Sequence, residues 1–248
     1  MENLARPGLH RFLHPAGFPI LAATGPHPGP CLVATAGVHG DEYEGVRALF
    51  ETWETLDVSA LHGSFIAVPI VNLPAHRAVS RVHPLDRKNL ARVFPGDPQG
   101  SPSEQLAHAL AHDVIARADF YLDLHSGGLA FSMPSMAGYD ATDPRGEAAA
   151  AIFGAPVIWG HPLIEAGRTI SFARSRNIPF LYTEAFGAGR IAPADLAMQK
   201  RGLRNLFFHL GLLAGRPEIP APPRRLHGVG NTDDGVAAAC DGFWMPIV

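Results

Sequence analysis

The stretch Pro30-Cys31-Leu32-Val33-Ala34-Thr35-Ala36, running straight into Gly37-Val38-His39-Gly40-Asp41-Glu42-Tyr43-Glu44-Gly45, decides how this chain is read. Its first half is an apolar run closed by glycine, the mark of a buried strand. Residues 43–56 carry helical spacing, so His39 and Glu42 fall in the turn between strand and helix. Three residues apart across the first turn of a helix, an imidazole and a carboxylate can aim at one point. Both are good zinc ligands, and a catalytic zinc site uses three protein ligands and one open position, so one more is required.

The best candidate for the third ligand is His125, in Asp119-Phe120-Tyr121-Leu122-Asp123-Leu124-His125-Ser126-Gly127-Gly128, again at the end of an apolar strand. Strand residues two apart face the same way, so Asp123 lies on the side of His125 and can orient a ligand from behind. Rival signatures are missing. The sequence has no His-Glu-x-x-His, no His-x-x-Glu-His, no Gly-x-Ser-x-Gly elbow and no Gly-x-x-x-x-Gly-Lys phosphate loop.

Composition fits a compact enzyme. The 248 residues are 47% hydrophobic and 17% charged, enough for one large α/β core. A net charge of −3 argues against nucleic-acid binding, which calls for a concentrated basic excess. Cys31 and Cys240 make no disulfide framework. The start, Met1-Glu2-Asn3-Leu4-Ala5-Arg6, lacks the charged and apolar regions of a signal peptide, and no stretch is long enough to cross a bilayer. The expectation is a cytoplasmic protein without a membrane or nucleic-acid partner.

Strands and helices alternate through about the first two hundred residues. Strands are expected near 63–72, 155–159 and 178–183. A helix should begin at Ser101, where Ser101 and Glu104 fit a capping box and Pro102 takes the first helical position. Its buried face is Leu106, Leu110 and Val114. A further helix spans about 193–213. The pattern describes a mixed or parallel sheet covered by helices, with ligands at strand ends. His108 and His112 sit four apart on the Ser101 helix but have no third partner, and His161, His209 and His227 have none that the sequence reveals.

Between the second strand and the Ser101 helix, residues 76–96 hold five cations, Arg77, Arg81, Arg87, Lys88 and Arg92, against one acid, Asp86. Such a concentration beside a metal invites an anionic substrate, although each arginine taken singly reads as solvated surface.

Four motifs in order, His39-Gly40-Asp41-Glu42, Asp86-Arg87-Lys88-Asn89-Leu90-Ala91-Arg92-Val93-Phe94-Pro95-Gly96, Asp123-Leu124-His125 and Thr183-Glu184-Ala185, give the chain a wider identity. From about Gly25 onward it resembles the aspartoacylase/succinylglutamate desuccinylase family, a branch of the zinc carboxypeptidase clan. The resemblance implies a three-layer α/β/α fold with a mixed, largely parallel central sheet. It implies one Zn²⁺ per chain on His39, Glu42 and His125, with Glu184 as general base. Arg92 matches the arginine that grips a substrate carboxylate, Asn89 belongs with it at the substrate, and Arg81 matches an arginine that stabilises the oxyanion. Two positions depart from the family pattern: Ala91 stands where an asparagine is usual, and Arg87 where a glycine is.

The function implied is zinc-dependent hydrolysis of the amide bond of an N-acylated amino acid or similar small carboxylate. A metallocarboxypeptidase would use the same zinc, base and arginine, and a catalytically inactive metal- or ligand-binding domain is the alternative outside enzymes. A catalytic domain is expected over 1–225. Residues 226–248 would then open a C-terminal β-rich region, with a hairpin turning at Asp241-Gly242. Its final apolar strand would need a partner within the fold or from a second copy of the chain, which leaves a homo-oligomer open.

Overall fold

The computed structural model describes residues 6–228. The hairpin expected at the C-terminus and Cys240 lie outside them. In chain order the elements are β1 (Gly8–Leu13), β2 (Pro19–Thr24), β3 (His27–Ala36), α1 (Glu44–Glu54), β4 (His62–Val68), α2 (Leu73–Arg77), α3 (Pro102–Ala109), β5 (Phe120–Ser126), β6 (Met136–Asp140), α4 (Pro144–Phe153), β7 (Val157–His161), α5 (Thr169–Ser175), β8 (Phe180–Ala185), α6 (Pro193–His209) and β9 (Arg224–His227).

The strands form one nine-stranded sheet in the order β1-β2-β4-β3-β5-β8-β6-β7-β9. Its centre, β4-β3-β5-β8, is wholly parallel. Strands covered on both faces can be apolar almost throughout, which is why these runs are legible in the sequence. At one edge β2 pairs antiparallel with β4, and β1 with β2. At the other, β6 runs antiparallel to β8, and β7 and β9 follow β6 in parallel. The sheet is thus mixed and largely parallel.

Alternation along the central strands builds two cores. Leu32, Ala34 and Ala36 of β3 and Phe120, Leu122 and Leu124 of β5 face the layer of α1, α4 and α6. Val33 and Tyr121 face the opposite layer, made by α3, α5 and the turns between them. Helices on both faces give the three-layer α/β/α arrangement. On the second face, nearer the strand ends, apolar side chains give way to Thr35, Asp123 and Glu184.

Several elements differ from the sequence reading. The Ser101 helix keeps its proline start, with Glu104 Oε2 accepting from the Ser101 N–H at 2.8 Å. It leaves the α form after Ala109 for a π-helical turn (Leu110–Val114) and a 3₁₀ turn (Ile115–Arg117), while Leu106, Leu110 and Val114 remain buried. The strands β1, β2, β6 and β9 were not anticipated. The last straddles residue 225, so hydrogen-bonded pairing to β7 crosses the expected end of the catalytic domain. No helix among the described residues is long and apolar enough to cross a membrane.

Candidate metal centre and substrate cavity

The loop after β3 is held down by close backbone packing. A Cβ on Gly40 would stand 2.1 Å from the Ala75 carbonyl carbon in α2, so no side chain fits there. Gly40 N–H donates to the Ser80 carbonyl at 3.0 Å. With the loop anchored, His39 and Glu42 point under the end of β5, and both are buried.

There His39 Nδ1 lies 2.7 Å from Glu42 Oε1, and His125 Nδ1 lies 2.9 Å from Glu42 Oε2. One ligand atom from each of the three residues falls within 4.8 Å of the others. The far side of each ring is also fixed. His39 Nε2–H donates to Asn89 Oδ1 at 3.0 Å, and His125 Nε2–H donates to Asp123 Oδ2 at 3.0 Å. Placing the proton on Nε2 leaves the Nδ1 lone pair of each ring aimed at the carboxylate, the tautomer a metal ion requires. Two imidazoles and one carboxylate, oriented from behind by an amide and an acid, fit zinc by donor type and by tautomer. The His108 and His112 rings lie tilted with centroids 4.4 Å apart, and no third ligand joins them among the described residues.

Asp123 is fully buried, and two threonines hold it in place beside His125. Thr35 Oγ1 donates to Asp123 Oδ1 at 2.7 Å, and Thr169 Oγ1 at the start of α5 donates to Oδ2 at 2.5 Å. Thr35 also meets the Tyr121 hydroxyl at 2.6 Å.

Glu184 stands beside this centre. On the parallel strands β5 and β8, His125 and Glu184 are register partners, and both face the second layer. Burial pushes the Glu184 carboxyl up to about 8, with His125 opposing the rise and Glu42 adding to it. Burial would raise Glu42 as well, but His39 and His125 overcome it and hold that carboxyl well below the ordinary range. His125 is lifted far above its usual value by Asp123 and Glu42, against the effect of burial. A divalent cation held at the Nδ1 atoms would take the place of any proton there.

A cavity of about 260 Å³ opens over His39, His125 and Glu184. Arg81, Arg92 and Arg168 bring positive charge to it, and Phe131, Met133 and Leu163 supply apolar wall. Arg81 Nη1 donates to Glu42 Oε1 at 3.0 Å, and its guanidinium lies 5.9 Å from the Phe131 ring centre. Arg92 reaches the cavity from a 3₁₀ turn (Leu90–Arg92) capped by Asn89, whose Oδ1 also accepts from Ala91 N–H at 2.9 Å. The Asn89 oxygen is therefore engaged with His39 and the backbone. Ala91 also lines the cavity, and Arg87 has φ 59°, the left-handed conformation that explains why glycine suits this position.

The sequence reading assigned no part to Tyr182, His161, Arg168 or Thr169, which all line the cavity. Tyr182 had a signal, since it lies two residues before Glu184 on one strand. His161 had none, because it arrives from β7, three strands away from β5 in the sheet.

Residues 28–210 match the family model described as "Succinylglutamate desuccinylase/Aspartoacylase catalytic domain". The chain is 36% identical over 202 residues to the N-alpha-acetyl-L-2,4-diaminobutyric acid deacetylase of Halomonas elongata, covering 79% of this chain and 59% of that protein's length. Among solved structures, a succinylglutamate desuccinylase/aspartoacylase from Rhodobacter sphaeroides superposes with a TM-score of 0.82 at 30% identity, over 90% of this chain and 74% of its own. The product-bound ectoine utilization protein EutE (DoeB) from Ruegeria pomeroyi gives 0.80 at 30% identity, over 90% and 73%.

Proposed function

The chain belongs to the succinylglutamate desuccinylase/aspartoacylase family, and on that premise we propose that it is a zinc-dependent hydrolase of the amide bond in small N-acylated amino acids. The observation that carries this reading is the placement of Glu184 in register beside His125, at the edge of a three-ligand cluster that opens into a cavity lined by arginines.

One zinc ion per chain, held by His39, Glu42 and His125, would supply Lewis-acid polarisation of the scissile carbonyl and lower the pKa of water. Glu184 takes the proton from the attacking water and delivers it to the amide nitrogen as the C–N bond breaks, releasing the acyl group as its acid and the amino acid as its amine. Its buried setting keeps the carboxyl basic enough for both transfers. Arg92 holds the substrate's α-carboxylate, helped by Asn89. Arg81 stabilises negative charge developing on the carbonyl oxygen from its place beside Glu42. Asp123, with Thr35 and Thr169 behind it, fixes the His125 ring.

A small anionic substrate and a cytoplasmic location complete the proposal. The test is metal analysis of the purified protein together with turnover of a panel of N-acyl amino acids and short peptides. Release of the free amino acid and the acyl acid is expected. Cleavage of peptides in preference to acylated amino acids would make it a carboxypeptidase, and a zinc-loaded protein that turns over neither would end the enzymatic reading.

A further inference from the structure

In the wall of the same cavity, Tyr182 of β8 and His161 of β7 meet, His161 Nε2 lying 2.8 Å from the Tyr182 hydroxyl. The strand between them is β6, and the Tyr182 ring passes over it where Gly138 removes the obstacle. Gly138 and Tyr182 are register partners, and a Cβ on Gly138 would stand 1.9 Å from Tyr182 Cε1 and 2.7 Å from its oxygen. This gap in β6 is what lets side chains from two non-adjacent strands join on one wall.

The chemistry of the pair follows from its proton inventory. If the Tyr182 hydroxyl donates to Nε2, the pair keeps His161 Nδ1–H as a donor and a lone pair on the tyrosine oxygen. If His161 Nε2–H donates instead, the tyrosine O–H is the donor and Nδ1 the acceptor. Either way one further donor and one further acceptor remain. Burial holds the His161 imidazole down at about 4 and raises the tyrosine hydroxyl, so both are neutral near pH 7. The charges nearby are balanced too. Arg168 pairs with Glu165, and the other carboxylates lining the cavity are Asp123, bound to His125, and Glu184, the proposed base.

We propose that His161 and Tyr182 form a specificity subsite for an uncharged substrate side chain that both donates and accepts hydrogen bonds, a carboxamide foremost. A carboxylate there would offer no donor to the pair. An ammonium group, such as that of a diamino acid, would offer no acceptor to the pair. An alkyl side chain would leave both groups of the pair unpaired, and sites built to hydrogen-bond a substrate discriminate strongly against analogues that lack the partner.

The inference rests on the deacylase reading, and the experiment separates the two. The zinc-loaded protein and its Tyr182→Phe, His161→Phe and His161→Gln variants are assayed on N-acetylasparagine, N-acetylaspartate, N-acetylleucine and N-acetyl-2,4-diaminobutyrate. These side chains are close in size and differ in hydrogen bonding and charge. The wild type should favour asparagine over the other three in kcat/KM. Tyr182→Phe and His161→Phe should each cut the asparagine-to-leucine ratio about tenfold, mainly through KM, with His161→Gln recovering part of the loss. An unchanged ratio in Tyr182→Phe, or a wild-type preference for the aspartate or diaminobutyrate compound, overturns the subsite. If no acetylated amino acid is turned over, the deacylase reading fails. Calorimetric binding of free asparagine against free leucine then decides the subsite: a preference lost in Tyr182→Phe supports it, and equal binding overturns it.

Discussion

His125 and Glu184 are register partners on adjacent parallel strands, so a metal-ligand candidate and a carboxyl held at about 8 share one end of the sheet and one face. Strand register thereby fixes their spacing. A slip of one residue would turn Glu184 into the opposite core.

Metal content is the first expectation. The purified protein should carry about one zinc per chain, and His39→Ala or His125→Ala should each empty the site, since two remaining ligands bind poorly. Mass-spectrometric metal analysis measures this. A full complement in both variants removes the assignment.

Glu184→Gln should retain zinc and fold while losing turnover by ~10²–10⁴-fold, because glutamine matches the shape and cannot take a proton. Steady-state kinetics on zinc-loaded protein decides. A near-normal kcat would transfer the base role to another group.

The raised Glu184 carboxyl also predicts a pH dependence of stability in the chelated protein. An acid whose folded value is about 8 binds its proton in the native state at pH values where the unfolded chain has already released it. Its contribution is therefore full below the unfolded value, about 4.3, and is lost as pH rises toward 8. Denaturant midpoints of wild type and Glu184→Gln, compared from pH 5 to 8, should diverge, with the wild type falling more. Parallel curves would show that the carboxyl is not raised.

Arg92→Ala should reduce kcat/KM on acylated amino acids by roughly ten- to a hundredfold, the scale of a charge-assisted hydrogen bond, and have far less effect on the matching amides. Equal losses on both would make Arg92 structural. Ala91→Asn should improve carboxylate substrates modestly, and abolition of activity would mean that the cavity is shaped around the small residue.

At Arg87, φ 59° places a residue with a Cβ in the left-handed region. Arg87→Gly relieves a cost of about 1–2 kcal/mol and adds unfolded-state entropy that offsets about half of it. A rise in the denaturant midpoint at unchanged slope is expected, and a fall would show that the Arg87 side chain contributes more than its backbone costs.

The sequence by itself determined the central strands, the strand-to-helix loop and three ligand candidates, because a strand covered on both faces must be apolar and a loop with His39 and Glu42 three apart has few other uses. It also supplied the motif order on which Glu184 and Arg92 depend. The flanking strands β1, β2, β6 and β9 were not legible. β1 and β9 are exposed along one face or throughout, β2 and β6 are buried but short, and β2, β6 and β9 depend on pairing with strands distant in the chain. Tertiary structure alone decided that Asn89 Oδ1 supports His39, that Arg81 leans on Glu42, and that Tyr182 crosses Gly138 to reach His161. Each of these contacts joins residues distant in the chain through a hydrogen bond of about 3 Å; packing of loops sets the first two and strand order and register the third, and no local pattern of residues encodes either.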